Sequence, residues 1–434
     1  MASGLKEEYQ SVKGIPDILP EECSYWLYLE KILLDLMTQY GYQQIRLPIV
    51  EKTALFKRAI GEVTDIVEKE MFSVADEKNR NLSLRPEGTA GCVRACLEHS
   101  LLRQLPQKLW YQGQMFRYEA PQKGRNRQFY QLGVECFGVG SWEAEVEQIA
   151  IFSRLWRQLG LEQSVQLEIN TLGTPAVRKA YIKDLVNYFK QHHDQLDADS
   201  QRRLQTNPLR ILDSKNTKMF DLLQAAPRLF NYLDQESLLN YEALKSQLSL
   251  LGIKYIENHN IVRGLDYYTG TVWEWTSKLL GSQSAVGAGG RYDGLVEQLG
   301  GNQVPAVGLA IGLDRVVMVL QQQQNKIPSS NVDGYLICVG TEALQQKFAI
   351  AEKIRDICPG FNFAVDLLGG NFKNQFKRAD KSGAKLALVV GDDEINSNSI
   401  TVKYLRENFS NSPEEALKNK QQLTIKLEEL HQFI

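Results

Sequence analysis

The sequence has no CxxC pair, no GxxxxGK[ST] loop, no GxSxG, no HExxH and no apolar run longer than a handful of residues. These absences exclude the commonest zinc sites, a Walker phosphate grip, a serine-hydrolase elbow, a zinc protease and a membrane span. The six cysteines (Cys23, Cys92, Cys96, Cys136, Cys338, Cys358) are scattered through apolar segments and read as reduced, buried thiols of a cytosolic protein. His192–His193 lies in a polar stretch and reads as solvated surface, so no side-chain metal site is expected. Met1–Gln10 carries Lys6, Glu7 and Glu8 without an apolar core, which is no secretory signal; the expected compartment is the cytoplasm, with no membrane partner. One-sided charge is missing too: 50 basic against 52 acidic residues leave −2. A chain that coats nucleic acid non-specifically is far more basic, so any such contact must use local patches.

What is present is ordinary globular composition, 43% hydrophobic and 24% charged, on 434 residues, enough for about three domains. Apolar residues at helical spacing predict a helix over Pro20–Tyr40, with Pro20 suited to the first turn and Gly41 to the stop. Tyr42–Val50 reads as one strand, with Pro48 arguing for an edge. A strand near Arg80–Leu84 runs into RPEGT and a helix over Ala90–Arg103. Leu109–Glu119 and Gln128–Gly138 form a long hairpin around a basic loop, Ala120–Arg127, and a helix follows over Trp142–Gln158. Strands return at Ile261–Trp275, Ala285–Arg291 and Pro305–Gly312, the last feeding a helix from Leu313. Between the two groups the pattern is helical and Leu/Gln-rich. These signals predict an α+β fold: an antiparallel-sheet domain in two parts, 1–172 and 257–320, interrupted by a helical insertion, 173–256. A polar linker, 321–332, leads to an α/β domain, 333–434, with strands YLICVG, FNFAVDL, KLALVV and SITVKYL and a last helix opening at Ser412.

The chemistry must lie with charged residues on strands. With period-two alternation, Gly113, Met115, Arg117 and Glu119 share one face of the first hairpin arm; Phe129, Gln131, Gly133, Glu135 and Phe137 share one face of the second. Such a face fits a ligand-facing sheet or a solvated ribbon. Lys123, Arg125 and Arg127 at the tip suit phosphate groups or simply a soluble turn. VRGLDYYTG (Val262–Gly270) repeats the theme, and GLAIGLDR (Gly308–Arg315) puts Arg315 in a first helical turn. A cation there opposes the helix dipole, so a phosphate or a nearby acid must favour it. The run GAGGRYDG lacks the dinucleotide-fingerprint spacing.

At these segments the chain resembles the histidyl-tRNA synthetases, class II aminoacyl-tRNA synthetases, over nearly its whole length. GYQQIRLPIVE resembles motif 1, MFRYEAPQKGRNRQFYQLGVE motif 2 and PAVGLAIGLDR motif 3; VRGLDYYTGTVWEW and GAGGRYDGLVEQLGG resemble the two histidine-specific motifs. The resemblance implies a class II catalytic domain, an anticodon-binding C-terminal domain, a homodimer built on motif 1, and ATP with Mg2+. It implies ATP-dependent activation of L-histidine to histidyl-adenylate and transfer to the 3′ end of tRNA(His). Glu87 and Thr89 of RPEGT, with Gln131, would contact the α-amino group of histidine, and Gly88 belongs to the same histidine site. Glu135 and Tyr268 would bracket the imidazole, with Tyr267 and Tyr292 lining the pocket. Arg117 would hold the α-phosphate of ATP, Glu119 the adenine edge, and Arg125 and Arg315 the outer phosphates. Arg263 would stabilise charge at the attacked phosphate, where other class II enzymes place a metal or another cation. Arg127, Lys373, Lys377 and Arg378 would contact tRNA. The family usually has Glu before the motif 3 arginine; here it is Asp314, a shorter carboxylate with reduced reach toward ATP or magnesium. The competing reading is an inactive synthetase paralogue that senses histidine for an ATP phosphoribosyltransferase. Such paralogues typically lack the C-terminal domain and parts of these motifs, whereas this chain keeps Arg117, Arg125, Arg263 and Arg315.

Overall fold

A computed structural model describes residues 9–61, 64–74, 80–212, 214, 216–261, 265, 267–323, 332–406 and 422–434. The chain divides into two compact units, Met1–Ile327 and Pro328–Ile434. In the first, helix α1 (Pro20–Gln39) leads to strands β1 (Gln43–Gln44) and β2 (Val50–Lys52), helix α2 (Thr53–Ile60), a π-helical turn Ile66–Glu70, and strands β3 (Ser73–Val74) and β4 (Leu82–Leu84). Helix α3 (Thr89–Glu98) precedes the hairpin β5 (Gln107–Phe116) and β6 (Gln128–Phe137), then helix α4 (Glu143–Gln158) and strand β7 (Gln166–Thr171). Helices α5 (Pro175–Gln191), α6 (Ala198–Thr206), α7 (Phe220–Gln224) and α8 (Gln235–Leu250) intervene before β8 (Tyr255–Glu257) and β9 (Thr269–Thr276). Strand β10 (Ala285–Arg291), helix α9 (Leu295–Gln298), strand β11 (Ala306–Gly312) and helix α10 (Leu313–Gln322) complete the unit.

The main sheet has eight strands in the order β1-β5-β6-β11-β10-β9-β7-β8. Its six central strands are antiparallel, while β1 and β8 add in parallel at the edges. Alternation divides its side chains between two cores. Leu132, Val134, Trp273, Trp275, Leu309 and Ile311 pack with buried residues of α1, α4, α8 and α10. The opposite face carries Tyr111, Met115, Phe137, Val272 and Tyr292 and is covered by α2, α3 and α9. The candidate site lies on that second face. Helix α1 forms as its pattern predicts, with Pro20 in the first turn, Glu21 and Glu22 complementing the dipole, and Trp26, Leu29, Leu33, Leu36 and Met37 buried. Gly41 ends it at φ 72°. Between β7 and β8, helices α5 to α7 build a small core of their own around Tyr181, Leu185, Phe189, Leu204 and Ile211.

Three predicted strands differ. Tyr42–Val50 is not one strand: β1 joins the main sheet and β2 a separate three-stranded sheet, β2-β4-β3. Pro48 supplies no N–H, and the carbonyls of Leu47 and Pro48 accept from the Arg85 guanidinium at 2.9 and 3.4 Å instead of a neighbouring strand. The first hairpin arm stops at Phe116, short of Arg117 and Glu119. The Phe116 N–H goes to the Arg85 carbonyl at 2.9 Å and the Tyr118 N–H to that of Glu70 at 2.6 Å, which draws the chain out of the ladder. The tip therefore spans 117–127 rather than 120–127. The strand expected from Ile261 begins only at Thr269. Arg263 and Asp266 lie outside the described residues.

The second unit is a five-stranded sheet, β13-β12-β14-β15-β16, built from β12 (Gly334–Val339), β13 (Phe363–Val365), β14 (Leu386–Gly391), β15 (Ser399–Tyr404) and β16 (Gln422–Lys426). Strands β12, β13 and β14 are parallel, and β15 and β16 continue antiparallel. Helices α11 (Thr341–Ile357), α12 (Phe372–Lys381) and α13 (Asp392–Ser397) connect them. Helix α13 and strand β16 were not among the expected elements. Most of the expected linker and the helix expected at Ser412 lie outside the described residues.

Candidate active site

The site is organised around Glu135 on β6, whose carboxylate is buried. Its Oε1 accepts hydroxyl donors from Thr89 at 2.8 Å and Tyr111 at 2.9 Å; its Oε2 accepts from Tyr292. Burial pushes the Glu135 carboxyl up to about 8, and the three hydroxyl donors oppose that rise. Glu135 is therefore poised between a neutral acid and a carboxylate that reads a donor. Glu87 is also buried and accepts the Thr89 and Ala90 N–H groups at 2.6 and 2.9 Å, capping α3. Burial raises its carboxyl while those two N–H groups draw it back. The RPEGT segment thus spends Glu87 on starting the helix and aims Thr89 at Glu135. Gln131 shares the face of Glu135 and lies in register with Gly113 and Gly312.

Glycines shape the pocket. A Cβ at Gly308 of β11 would overlap the Glu135 carboxylate, and one at Gly290 would crowd the Tyr268 ring at 2.8 Å. Side chains at Gly287 and Gly289 would run into Ile311 and Trp273, so the glycine-rich run serves close strand packing. Tyr267, Tyr268 and Tyr292 form one aromatic wall, with ring centroids 4.8, 5.5 and 6.4 Å apart pairwise. Edge-to-face geometry predominates, as the ring quadrupoles favour.

Beside this pocket lies an arginine cluster. Arg315 donates from Nε to the Gly124 carbonyl at 2.9 Å and from Nη1 to the Ala285 carbonyl at 2.7 Å. Burial lowers its pKa, and the neighbouring Arg117 and Arg125 add to the fall. Three guanidinium groups at such range repel one another and favour an anion. Arg117 donates to the Pro86 carbonyl at 2.9 Å and lies over the Phe129 ring. Arg125 pairs with Glu119 at 2.5 Å. Arg127 lies over Tyr118 and donates to the Glu119 carbonyl at 3.2 Å. Glu70, absent from the sequence reading, belongs here: burial and Glu119 raise its carboxyl, Arg117 and Arg125 lower it.

Two further features escaped the sequence reading. Tyr111 lies on the alternating face already identified on β5, two residues before Gly113, and extending the alternation backward finds it. Arg291 makes a bidentate pair with Glu145 of α4 at 2.7 and 2.6 Å, and it also donates to the Val139 and Ser141 carbonyls and to Asp293. That clamp fixes the backbone next to Tyr292. Asp314 has a structural partner: its Oδ2 accepts the Tyr130 N–H at 2.6 Å, tying α10 to β6; burial pushes its carboxyl up to about 6, and Arg315 opposes that rise. In the second unit Lys373 and Lys377 are exposed on α12, whereas Arg378 holds Asp366 through two bonds of 2.7 and 2.9 Å.

Comparison with known proteins accords with this geometry. A family model described as histidyl-tRNA synthetase matches residues 14–316, and one described as an anticodon binding domain matches 333–434. The chain is 51% identical over 403 residues to the histidine–tRNA ligase of Hydrogenovibrio crunogenus, covering 93% of this chain and 94% of that protein. It is 50% identical to that of Vesicomyosocius okutanii over 93% of this chain and 95% of that one. The crystal structure of apo histidyl-tRNA synthetase from S. aureus superposes with a TM-score of 0.78 at 34% identity, covering 97% and 98% of the two chains. A buried acid ringed by hydroxyls, an arginine cluster beside it and matches of this extent lead to one conclusion: the chain belongs to the histidyl-tRNA synthetase family.

Proposed function

We propose that the Glu135 pocket takes the imidazole of histidine and the arginine cluster takes ATP, so that the histidine carboxylate attacks the α-phosphate in line. The chain is a histidine–tRNA ligase, a class II aminoacyl-tRNA synthetase using ATP, histidine and tRNA. In the first step a P–O bond forms to the histidine carboxylate and the bond to the β-phosphate breaks, giving histidyl-adenylate and diphosphate. In the second the terminal ribose hydroxyl of tRNA(His) takes the histidyl group and AMP leaves. No side chain need act as nucleophile, and the residues supply position and charge.

The observation carrying this reading is the pairing of a buried carboxylate on the sheet, served by three hydroxyls, with a group of mutually repelling arginines from the hairpin tip and the start of α10. The carboxylate suits a ring N–H, and Tyr268 is assigned the opposite ring edge. Thr89 and Gln131 are assigned to the α-amino group, with Glu87 and Gly88 framing that end. Arg117 is assigned the α-phosphate, Arg125 and Arg315 the outer phosphates, Glu119 the adenine edge, and Arg263 the charge that develops during attack. Mg2+ is assigned to ATP, held through phosphate oxygens and water.

For tRNA we assign Arg127 near the acceptor end and Lys373 and Lys377 on the anticodon-binding domain; the Asp366 pair gives Arg378 the task of shaping that surface. We divide the chain into catalytic segments 1–172 and 257–320, an insertion 173–256, a linker 321–332 and an anticodon-binding domain 333–434. A homodimer is supported by exposed apolar side chains on α1 and the following segment, Leu27 at 63%, Leu34 at 52%, Ile49 and Val50. Six free thiols suit the cytoplasm, and among the described residues no helix is long and apolar enough to cross a membrane. The test is charging of a tRNA(His) transcript with histidine by the wild type and by Arg263→Ala. Wild-type charging, and an Arg263→Ala enzyme that binds histidine but forms no adenylate, are expected. An active Arg263→Ala enzyme would remove the role given to that arginine.

A further inference from the structure

The hydroxyls around Glu135 are not equivalent. Thr89 and Tyr111 both donate to Oε1, which leaves Oε2, with its single donor Tyr292, as the oxygen able to accept from a ligand. The Tyr111 ring is held in a slot that only glycines permit. A Cβ at Gly88, at the start of α3, or at Gly133, its register partner on β6, would overlap the ring. Tyr111 is fully buried, so its hydroxyl direction is fixed by the slot rather than by solvent.

We propose that Tyr111 is a positioning residue for histidine recognition, locking the Glu135 carboxylate as an acceptor with Oε2 open to the imidazole, and that Gly88 and Gly133 serve to seat its ring. This rests on the assignment of the Glu135 pocket to imidazole. It also gives Gly88 a different task from direct substrate contact. The groups facing Glu135 among the described residues are Glu87, Thr89 and Cys92 at the start of α3, Tyr111 on β5, Tyr267 before β9 and Tyr292 after β10. Of these, Glu87 disfavours the anion and the hydroxyls of Thr89, Tyr111 and Tyr292 favour it. Removing the Tyr111 hydroxyl therefore moves the titration of Glu135 upward, and the acceptor form becomes scarcer at neutral pH.

The test is histidine-dependent ATP–pyrophosphate exchange by wild type, Tyr111→Phe and Glu135→Gln from about pH 6 to about pH 9, with melting curves. Phenylalanine keeps the ring in its slot, so a merely structural role predicts no change. The expected result for Tyr111→Phe is a KM for histidine roughly tenfold higher at neutral pH, with kcat and the KM for ATP within about twofold. The acid limb of kcat/KM should also move up by about one pH unit. A Tyr111→Phe enzyme with wild-type KM and pH profile, beside a Glu135→Gln enzyme that has lost histidine, overturns this inference and leaves the pocket assignment standing. If Glu135→Gln also keeps histidine, the pocket assignment falls and this inference with it. Should Tyr111→Phe fail to fold, Gly133→Ala carries the test: displacement of the ring predicts the same rise in histidine KM, and an unchanged KM overturns the proposal.

Discussion

The Thr89 hydroxyl at the first position of helix α3 donates to Glu135 Oε1 across 2.8 Å, joining residues 46 apart in the chain. RPEGT and the second hairpin arm, which read in the sequence as separate motifs, are thereby one hydrogen-bonded unit. The helix start is fixed by Glu87 and the sheet by its ladder, so the hydroxyl and the carboxylate meet without a flexible loop between them.

Gly308 tests how closely β11 must approach that unit. An added Cβ would overlap the Glu135 carboxylate. Gly308→Ala is expected to raise the histidine KM by about tenfold or more while ATP binding measured by fluorescence or calorimetry stays near wild type. Wild-type histidine affinity in this variant would mean that the carboxylate has room the structure does not give it.

Glu135 also sets a pH dependence of stability. Its folded-state value of about 8 lies above the ordinary 4.5, so the folded protein holds a proton that the unfolded chain releases between those values. Its contribution is fully present below about pH 4.5 and is lost as pH rises through about 8, a swing on the order of a few kcal/mol. Glu135→Gln is expected to flatten the fall in Tm between about pH 5 and about pH 9. A Tm profile identical to wild type over that range would contradict the burial assigned to this carboxyl.

Arg291 and Glu145 form a buried bidentate pair next to Tyr292. Arg291→Lys cannot reproduce the planar fork and cannot serve the Glu145 carboxylate and the Val139 and Ser141 carbonyls together. We expect a loss of about 3 kcal/mol of stability by denaturant titration and a higher histidine KM as Tyr292 loses its anchor. Unchanged stability would show that the clamp is replaceable.

Asp314 holds the Tyr130 N–H through its Oδ2. Asp314→Glu is accordingly expected to leave histidine-dependent exchange within about twofold, because the task is to tie a helix to a strand. A severalfold gain would show that side-chain length at this position governs ATP geometry.

What the sequence disclosed and what it hid follow from the range of the interactions. Helix α1 and strands β10 and β11 are legible because periodicity and turn residues are local. The shared face of Gln131 and Glu135 is legible because alternation is local too. Tyr111 lies on that legible face, but its slot is hidden, because it depends on Gly88 and Gly133, which only register and the α3 start bring together. The early end of β5 was hidden for the same reason: the Arg85 and Glu70 carbonyls that divert it come from distant segments. The break at Pro48 was half legible, since proline signalled an edge while the competing Arg85 guanidinium did not.

The most direct test of histidine activation is ATP–pyrophosphate exchange with each of the twenty amino acids in turn. Exchange supported by histidine alone is the predicted result. Exchange with another amino acid, or with none, would contradict it.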